Sequence, residues 1–322
     1  MLHITNGDAV LAGFREGGIP GTYLAWRDAL HDGSVPQTAS LEDLSDVRAR
    51  VIATFGGHGD YAAVRAGFGE RDRTLAAFRE HEETVLWFEH DLYDQLQLLQ
   101  ILDWLSRQDR DAVRISLIQI DRHAGVSPFF GLGQLSGRQL AELLPVRQPV
   151  SPEQFAIGRE AWAAFCAPDP TGLAALANSS IPEMPFLSAA LTRCLEEYPS
   201  VRDGLSRTER QLLEAGASGA RHRRDYYTAS SSRESCSWGD MSVYARLDLL
   251  SAGPRPAVDR VGADEFALNA RGRRILAGDE DWFREPGRDV WIGGVHLDAG
   301  ARIQWRWDGA RRTIVSVEPR QT

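Results

Sequence analysis

Carboxylates and imidazoles gather where apolar runs of this chain end. Thr84 to Phe88 is an apolar stretch, and Glu89, His90 and Asp91 follow it directly. Asn6, Gly7 and Asp8 follow the short run Leu2-His3-Ile4-Thr5. Arg27 and Asp28, with His31, Asp32 and Gly33 close behind, follow Thr22 to Trp26. Gly56-Gly57-His58-Gly59-Asp60 follows Val51 to Phe55, and Asp121, Arg122 and His123 follow Arg114 to Ile120. Such groups suit two kinds of chemistry. They can hold a hard divalent cation such as Mg²⁺ or Mn²⁺ through oxygen ligands, or supply a general acid and base with separated pKa values.

We take Glu89, His90 and Asp121 as candidate catalytic residues, and Asn6, Asp8, Arg27, Asp28, Asp91 and Arg122 as candidate ligand-binding residues. Plainer roles exist. Asp8, Asp28, Asp60 and Asp91 each precede a helix candidate and can serve as N-caps alone, worth about 0.5–2 kcal/mol. Glu89, at the end of an apolar strand, needs a partner, either an Arg or a ligand. His3 lies within a strand and reads as packed. No HExxH, GxSxG or paired CxxC accompanies these residues. The glycines of "GLGQLSG", 131–137, do not directly follow a strand, and a helix entry explains them better than a phosphate cradle.

Elements must bring these residues together. Strand candidates at 2–5, 22–26, 51–55, 84–88 and 114–120 alternate with helix candidates at 8–16, 60–80 and 92–106. That order predicts a Rossmann-like, mostly parallel sheet over residues 1–145, whose ligands bind outside the carboxyl ends of the strands. The 92–105 helix is apolar over most of its surface and should be buried. Ser136-Gly-Arg-Gln139, Ser151-Pro-Glu-Gln154 and Ser206-Arg-Thr-Glu209 match capping boxes. Residues 146–203 read as a helical connecting segment. From 204 to 322 the order helix, helix, strand, turn, strand predicts a winged-helix-like module, ending in three short strands at "VWIGGVHL", "ARIQWRWD" and "RTIVSVEP". An Arg/Ser-rich stretch, "GARHRRDYYTASSSRESCSWGD", reads as a loop.

The bulk numbers bound the function. A length of 322 residues suggests about two domains. A net charge of -9 argues against a general nucleic-acid coat. All 36 Lys+Arg residues are Arg. A Schiff-base lysine and a Walker A lysine are therefore excluded, and anions must be met by Arg, helix N-termini or backbone amides. Cys166, Cys194 and Cys236 are too few and too scattered for a zinc ribbon or a disulfide framework. No run is long enough to span a membrane as a helix, and the first residues lack the pattern of a signal peptide. A cytoplasmic protein is the expectation. The presumptive recognition helix, "DMSVYARLDLLS", holds one Arg against two Asp, which weighs against sequence-specific DNA readout.

The strings "HITNGD", "WRDALHDG", "LWFEHDLYDQLQLLQILDWL", "IDRHAGVSPFFGLGQL", "LSRTERQLLEA" and "DVWIGGVHL" resemble a bacterial family with an N-terminal domain of unknown function 1835. The resemblance covers nearly the whole chain. It implies a bacterial cytoplasmic protein and carries over no catalytic residue. Three readings stand: an enzyme or binder for a small phosphorylated or nucleotide-like ligand, a ligand-sensing regulator acting on DNA through its C-terminal module, and a scaffold for a protein partner.

Overall fold

The computed structural model describes residues 1–54, 60–234, 238–284, 289–298, 300–301 and 303–318. The first half runs β1 (Leu2–Thr5), α1 (Leu11–Glu16), β2 (Thr22–Ala25), β3 (Gly33–Ser34), α2 (Leu41–Thr54), α3 (Tyr61–Ala76), β4 (Glu83–Glu89), α4 (Leu92–Ser106), β5 (Arg114–Ile120), α5 (Gly137–Leu143) and β6 (Gln148–Pro149). A five-stranded sheet has the order β2-β1-β4-β5-β6. Its first four strands are parallel and β6 is antiparallel. All seven residues of β4 are buried, as befits a central strand covered on both faces.

Alternation along β4 sorts its side chains between the two faces. Val85 and Trp87 join Val10, Phe14, Leu135 and Leu140 beneath α1 and α5. Leu86 and Phe88 join Leu2, Ile4 and the apolar side of α4 in the larger core. Leu96, Leu98, Leu99, Ile101, Leu102 and Leu105 of α4 are fully buried, each worth about 1.5–3 kcal/mol over an exposed position. That burial fixes α4 against the sheet, and with it the residues at the mouth of β4.

One expected strand is a helix. Val51–Thr54 closes α2, and Phe55 lies outside the described residues, as do Gly56, Gly57, His58 and Gly59 of the glycine-rich turn. The inward side of α2 is built from Leu44, Ser45, Arg48 and Ala49. An inward arginine masks the helical period and leaves "VIATF" looking like a strand.

The second half runs α6 (Pro152–Cys166), α7 (Thr171–Ala177), α8 (Leu187–Leu195), α9 (Arg207–Ala217), α10 (Arg223–Ser231), α11 (Asp240–Ser251), β7 (Val258–Arg260), β8 (Phe266–Leu268), α12 (Ala270–Ala277), β9 (Asp289–Gly293), β10 (Val295–Asp298), β11 (Gln304–Asp308) and β12 (Thr313–Val317). All three capping boxes form, at Ser136, Ser151 and Ser206. Part of the expected Arg/Ser-rich loop is α10, which buries Tyr226 and Ser230. "VWIGGVHL" is two strands, not one. Gly293 and Gly294 make the turn between β9 and β10, and a Cβ on Gly294 would fall 1.9 Å from the Cys166 carbonyl oxygen. The C-terminal strands form small sheets: β7–β8 and β11–β12 are antiparallel pairs, while β9 joins β10 and also β3 of the first half. Among the described residues, no helix is long and apolar enough to cross a membrane.

Candidate functional site

Glu89, Asp91 and Asp94 meet where β4 hands over to α4. One carboxylate oxygen from each lies within 4.8 Å of the other two. Local structure explains the meeting. Glu89 ends the strand, and Asp91 caps the helix by accepting the Asp94 N–H at 2.9 Å. The cap orients the first turn so that Asp94 Oδ1 accepts the Glu89 N–H at 2.8 Å. Asp94 Oδ2 accepts from the Asn6 side-chain amide at 2.7 Å, which ties the end of β1 to the same point. Glu89 Oε1 accepts the Leu132 N–H at 2.5 Å. Gly131 makes this approach feasible, because a Cβ there would lie 2.3 Å from Glu89 Oε2.

The cluster is electrostatically unbalanced. Burial, then the charge on Asp91, pushes the Glu89 carboxyl up to about 8, against the opposing Leu132 N–H. Burial and the charges on Asp91 and Glu89 hold Asp94 well above the usual carboxylate range, although Asn6 and the Glu89 N–H favour its ionised form. Among the described residues neither Glu89 nor Asp94 has an ion-pair partner. Buried carboxylates in this state hold a proton or bind a cation.

Beside the cluster opens a cleft of about 500 Å³. Its sheet side is lined by His31, His90 and Asp91, so Asp91 belongs to both cluster and cleft. Its helical side carries Arg193, Arg207 and Arg312. Arg193 is bound to Glu197 at 2.7 Å and Arg207 to Glu196 at 2.6 Å, and both meet Glu234. Arg312 hydrogen-bonds the Thr192 hydroxyl at 3.3 Å and has no carboxylate partner among the described residues. The site thus has an acidic end and, among the described residues, a guanidinium with no carboxylate partner.

A buried polar network borders the cleft. His31 Nε2 lies 3.1 Å from Ser242 Oγ and 3.2 Å from Asp32 Oδ2. The Ser242 hydroxyl donates to Asp32 Oδ2 at 2.5 Å, and an Arg246 Nη lies 3.5 Å from Asp32 Oδ1. Burial alone would raise the Asp32 carboxyl, but His31, Arg246 and Ser242 outweigh it and hold the group at about 2.

The other residues singled out in the sequence have different fates. Asn6, Glu89 and Asp91 come together, and His90 lines the cleft beside them. Asp8 and Arg27 form an exposed ion pair at 2.6 Å away from the cleft lining, and Arg27 holds the Asp8 carboxyl below its ordinary range. Asp8 does not cap α1, whose N-cap is Val10. Asp28 lies outside the cleft lining. It is fully buried against Arg48 at 2.8 Å, with Arg71 behind it, and serves the core. Asp121 and Arg122 pair with each other at 3.0 Å, outside the carboxylate cluster. Asp60 caps α3. His3 is packed among Phe14, Tyr23 and Trp87 and accepts the Trp87 indole N–H at 3.0 Å. In "GLGQLSG", Gly131 makes room for Glu89 and Gly137 packs on α1, where a Cβ would lie 2.4 Å from the Gly17 nitrogen.

Asp94, Ser242 and the three arginines escape sequence reasoning, while His31 and Asp32 stand out there only as polar residues after the second apolar run. Asp94 left one signal, an acidic residue three after an N-cap aspartate at the start of an apolar helix. Ser242 is 210 residues from Asp32 and left none. No family model matches the chain, and no curated protein is similar to it.

Proposed function

We propose that this protein binds a small anionic ligand, phosphorylated or nucleotide-like, in the cleft at the carboxyl edge of its sheet. A divalent cation held by Glu89, Asp91 and Asp94 joins the ligand to the protein. The carrying observation is the meeting of three carboxylates, two without an ion-pair partner among the described residues, at the edge of a cleft that shares Asp91 with them. Oxygen-only ligands favour Mg²⁺ or Mn²⁺ over softer metals. The edge itself supports the reading, since parallel α/β sheets take ligands outside the carboxyl ends of their strands. Arg312 supplies the partner for the anionic group, in a chain that has no lysine to do so. The resemblance to the bacterial family with domain of unknown function 1835 fits a cytoplasmic setting for such a ligand.

The regulator reading draws less support. The helix that would enter a DNA groove, α11, faces inward: Val243, Leu247 and Leu250 are buried, and Ser242 and Arg246 are engaged with Asp32.

Calorimetric titration with Mn²⁺ or Mg²⁺, followed by nucleoside monophosphates in its presence, tests the proposal. Cation binding lost in Glu89→Gln is the expected result, together with a ligand affinity weakened about tenfold in Arg312→Gln. A wild-type protein that takes up neither cation would overturn it.

A further inference from the structure

His31 has a tautomer dictated by its neighbours. Ser242 uses its hydroxyl hydrogen on Asp32 Oδ2, so only lone pairs of Ser242 Oγ face His31. Asp32 Oδ2 is the other atom near Nε2. Both are acceptors, and Nε2 must carry the proton that satisfies them. In the neutral ring Nδ1 is then a bare lone pair. It has no hydrogen-bond partner among the described residues, while the ring is nine-tenths buried and lines the cleft. A buried acceptor in that condition favours any donor that reaches it.

We propose that His31 is the proton acceptor of the cleft. Its Nδ1 takes a hydrogen bond, and then the proton, from a hydroxyl or water on the cation-bound ligand. The O–H bond breaks, an N–H bond forms at Nδ1, and the electron pair stays on the ligand oxygen. Asp32 is the positioning residue: it fixes the ring and balances the imidazolium that forms, as a carboxylate behind a catalytic imidazole does. The remaining groups around the ring suit this task. Tyr93 on α4 stands edge-on at 5.8 Å between ring centroids, and Trp238 covers the ring at 4.6 Å. Arg193 stacks on Trp238 at 4.6 Å, and Arg246 lies against Asp32, so the charges facing His31 belong to this one network.

The inference rests on the cleft holding a ligand, and its test separates the two. Long-range ¹H–¹⁵N spectra of labelled protein report the protonation of each ring nitrogen, and the His31 ring is the one lost in His31→Gln. The free protein is expected to show Nε2–H with bare Nδ1. Ser242→Ala keeps this tautomer because Asp32 remains, and Asp32→Asn relaxes it to a mixture. Adding Mg²⁺ and adenosine monophosphate moves the Nδ1 resonance toward the protonated position. His31→Gln should weaken nucleotide binding about tenfold and leave Mg²⁺ binding unchanged. A ring protonated at Nδ1 in the free protein overturns the inference, and so does a heat of nucleotide binding that leaves the His31 ring unmoved. Absence of any Mg²⁺ or nucleotide heat overturns the binding function, and this inference with it.

Discussion

Glu89→Gln should stabilise the metal-free protein at alkaline pH and scarcely affect it in acid. The Glu89 carboxyl is raised from an ordinary 4.5 to about 8 by burial and by Asp91. The folded state therefore binds this proton more tightly than the unfolded state does. The stability it contributes is fully present below pH 4.5, and it is lost as the pH rises toward 8. At about 1.36 kcal/mol per pH unit, that interval sets a ceiling of about 5 kcal/mol. Asp94 shares the same charge balance and takes up part of the load, so a gain of about 2–3 kcal/mol is the working figure at pH 9. Gln keeps an oxygen to accept the Leu132 N–H and removes a like charge beside Asp91. Urea unfolding in the presence of a chelator at pH 5, 7 and 9 measures the effect. The two proteins should agree within about 1 kcal/mol at pH 5 and diverge as the pH rises. With Mn²⁺ in place of chelator the order reverses at pH 9, because only the wild type gains from cation binding. A variant less stable than wild type at every pH, or by a constant amount, would refute the account of Glu89 as a buried, proton-holding carboxylate.

Two further substitutions probe what surrounds the cluster. Gly131→Ala puts a Cβ 2.3 Å from Glu89 Oε2. The carboxylate or the 131–132 backbone must move, costing about 1–3 kcal/mol, and Mn²⁺ affinity read by electron paramagnetic resonance should fall at least tenfold; unchanged affinity would mean that Glu89 is not a ligand. Arg48→Ala leaves Asp28 buried with Arg71, at 3.8 Å, as its one ion-pair partner among the described residues, and removes the donor to the Asp32 carbonyl. Loss of about 3–5 kcal/mol is expected in urea unfolding, whereas a cost below 1 kcal/mol would show that Asp28 finds other partners.

The parallel sheet was legible because its signals are local. The run at 84–88 is apolar on both faces, that at 114–120 is largely apolar, and α4 is a long apolar segment between them, so type and order follow from pattern alone. The capping boxes were legible for the same reason, since each is satisfied within four residues. Misreadings arose where a polar residue turns inward. Arg48 on the inner side of α2 disguised a helix as a strand, and Tyr226 and Ser230 anchor a helix inside a stretch whose Arg and Ser content resembles a loop.

The site shows the same division. That carboxylates sit along the carboxyl edge follows from where apolar runs stop. Which of them turn toward one another depends on packing. Asp94 turns inward because α4 is buried over most of its surface and Asn6 stands ready at the end of β1. Asp121, the first residue after β5, instead pairs with its neighbour Arg122 at the surface. His31 and Asp32 acquire their role from Ser242 and Arg246, more than 200 residues later in the chain. The edge is thus a property of strand order, but the chemistry of the edge belongs to α4 and α11, which decide which acids are shut away from water. A substitution that loosens α4 beyond its first turn, such as Leu99→Ala, should therefore alter the proton affinity of Glu89, read as a changed pH dependence of stability in urea unfolding, without touching the cluster itself.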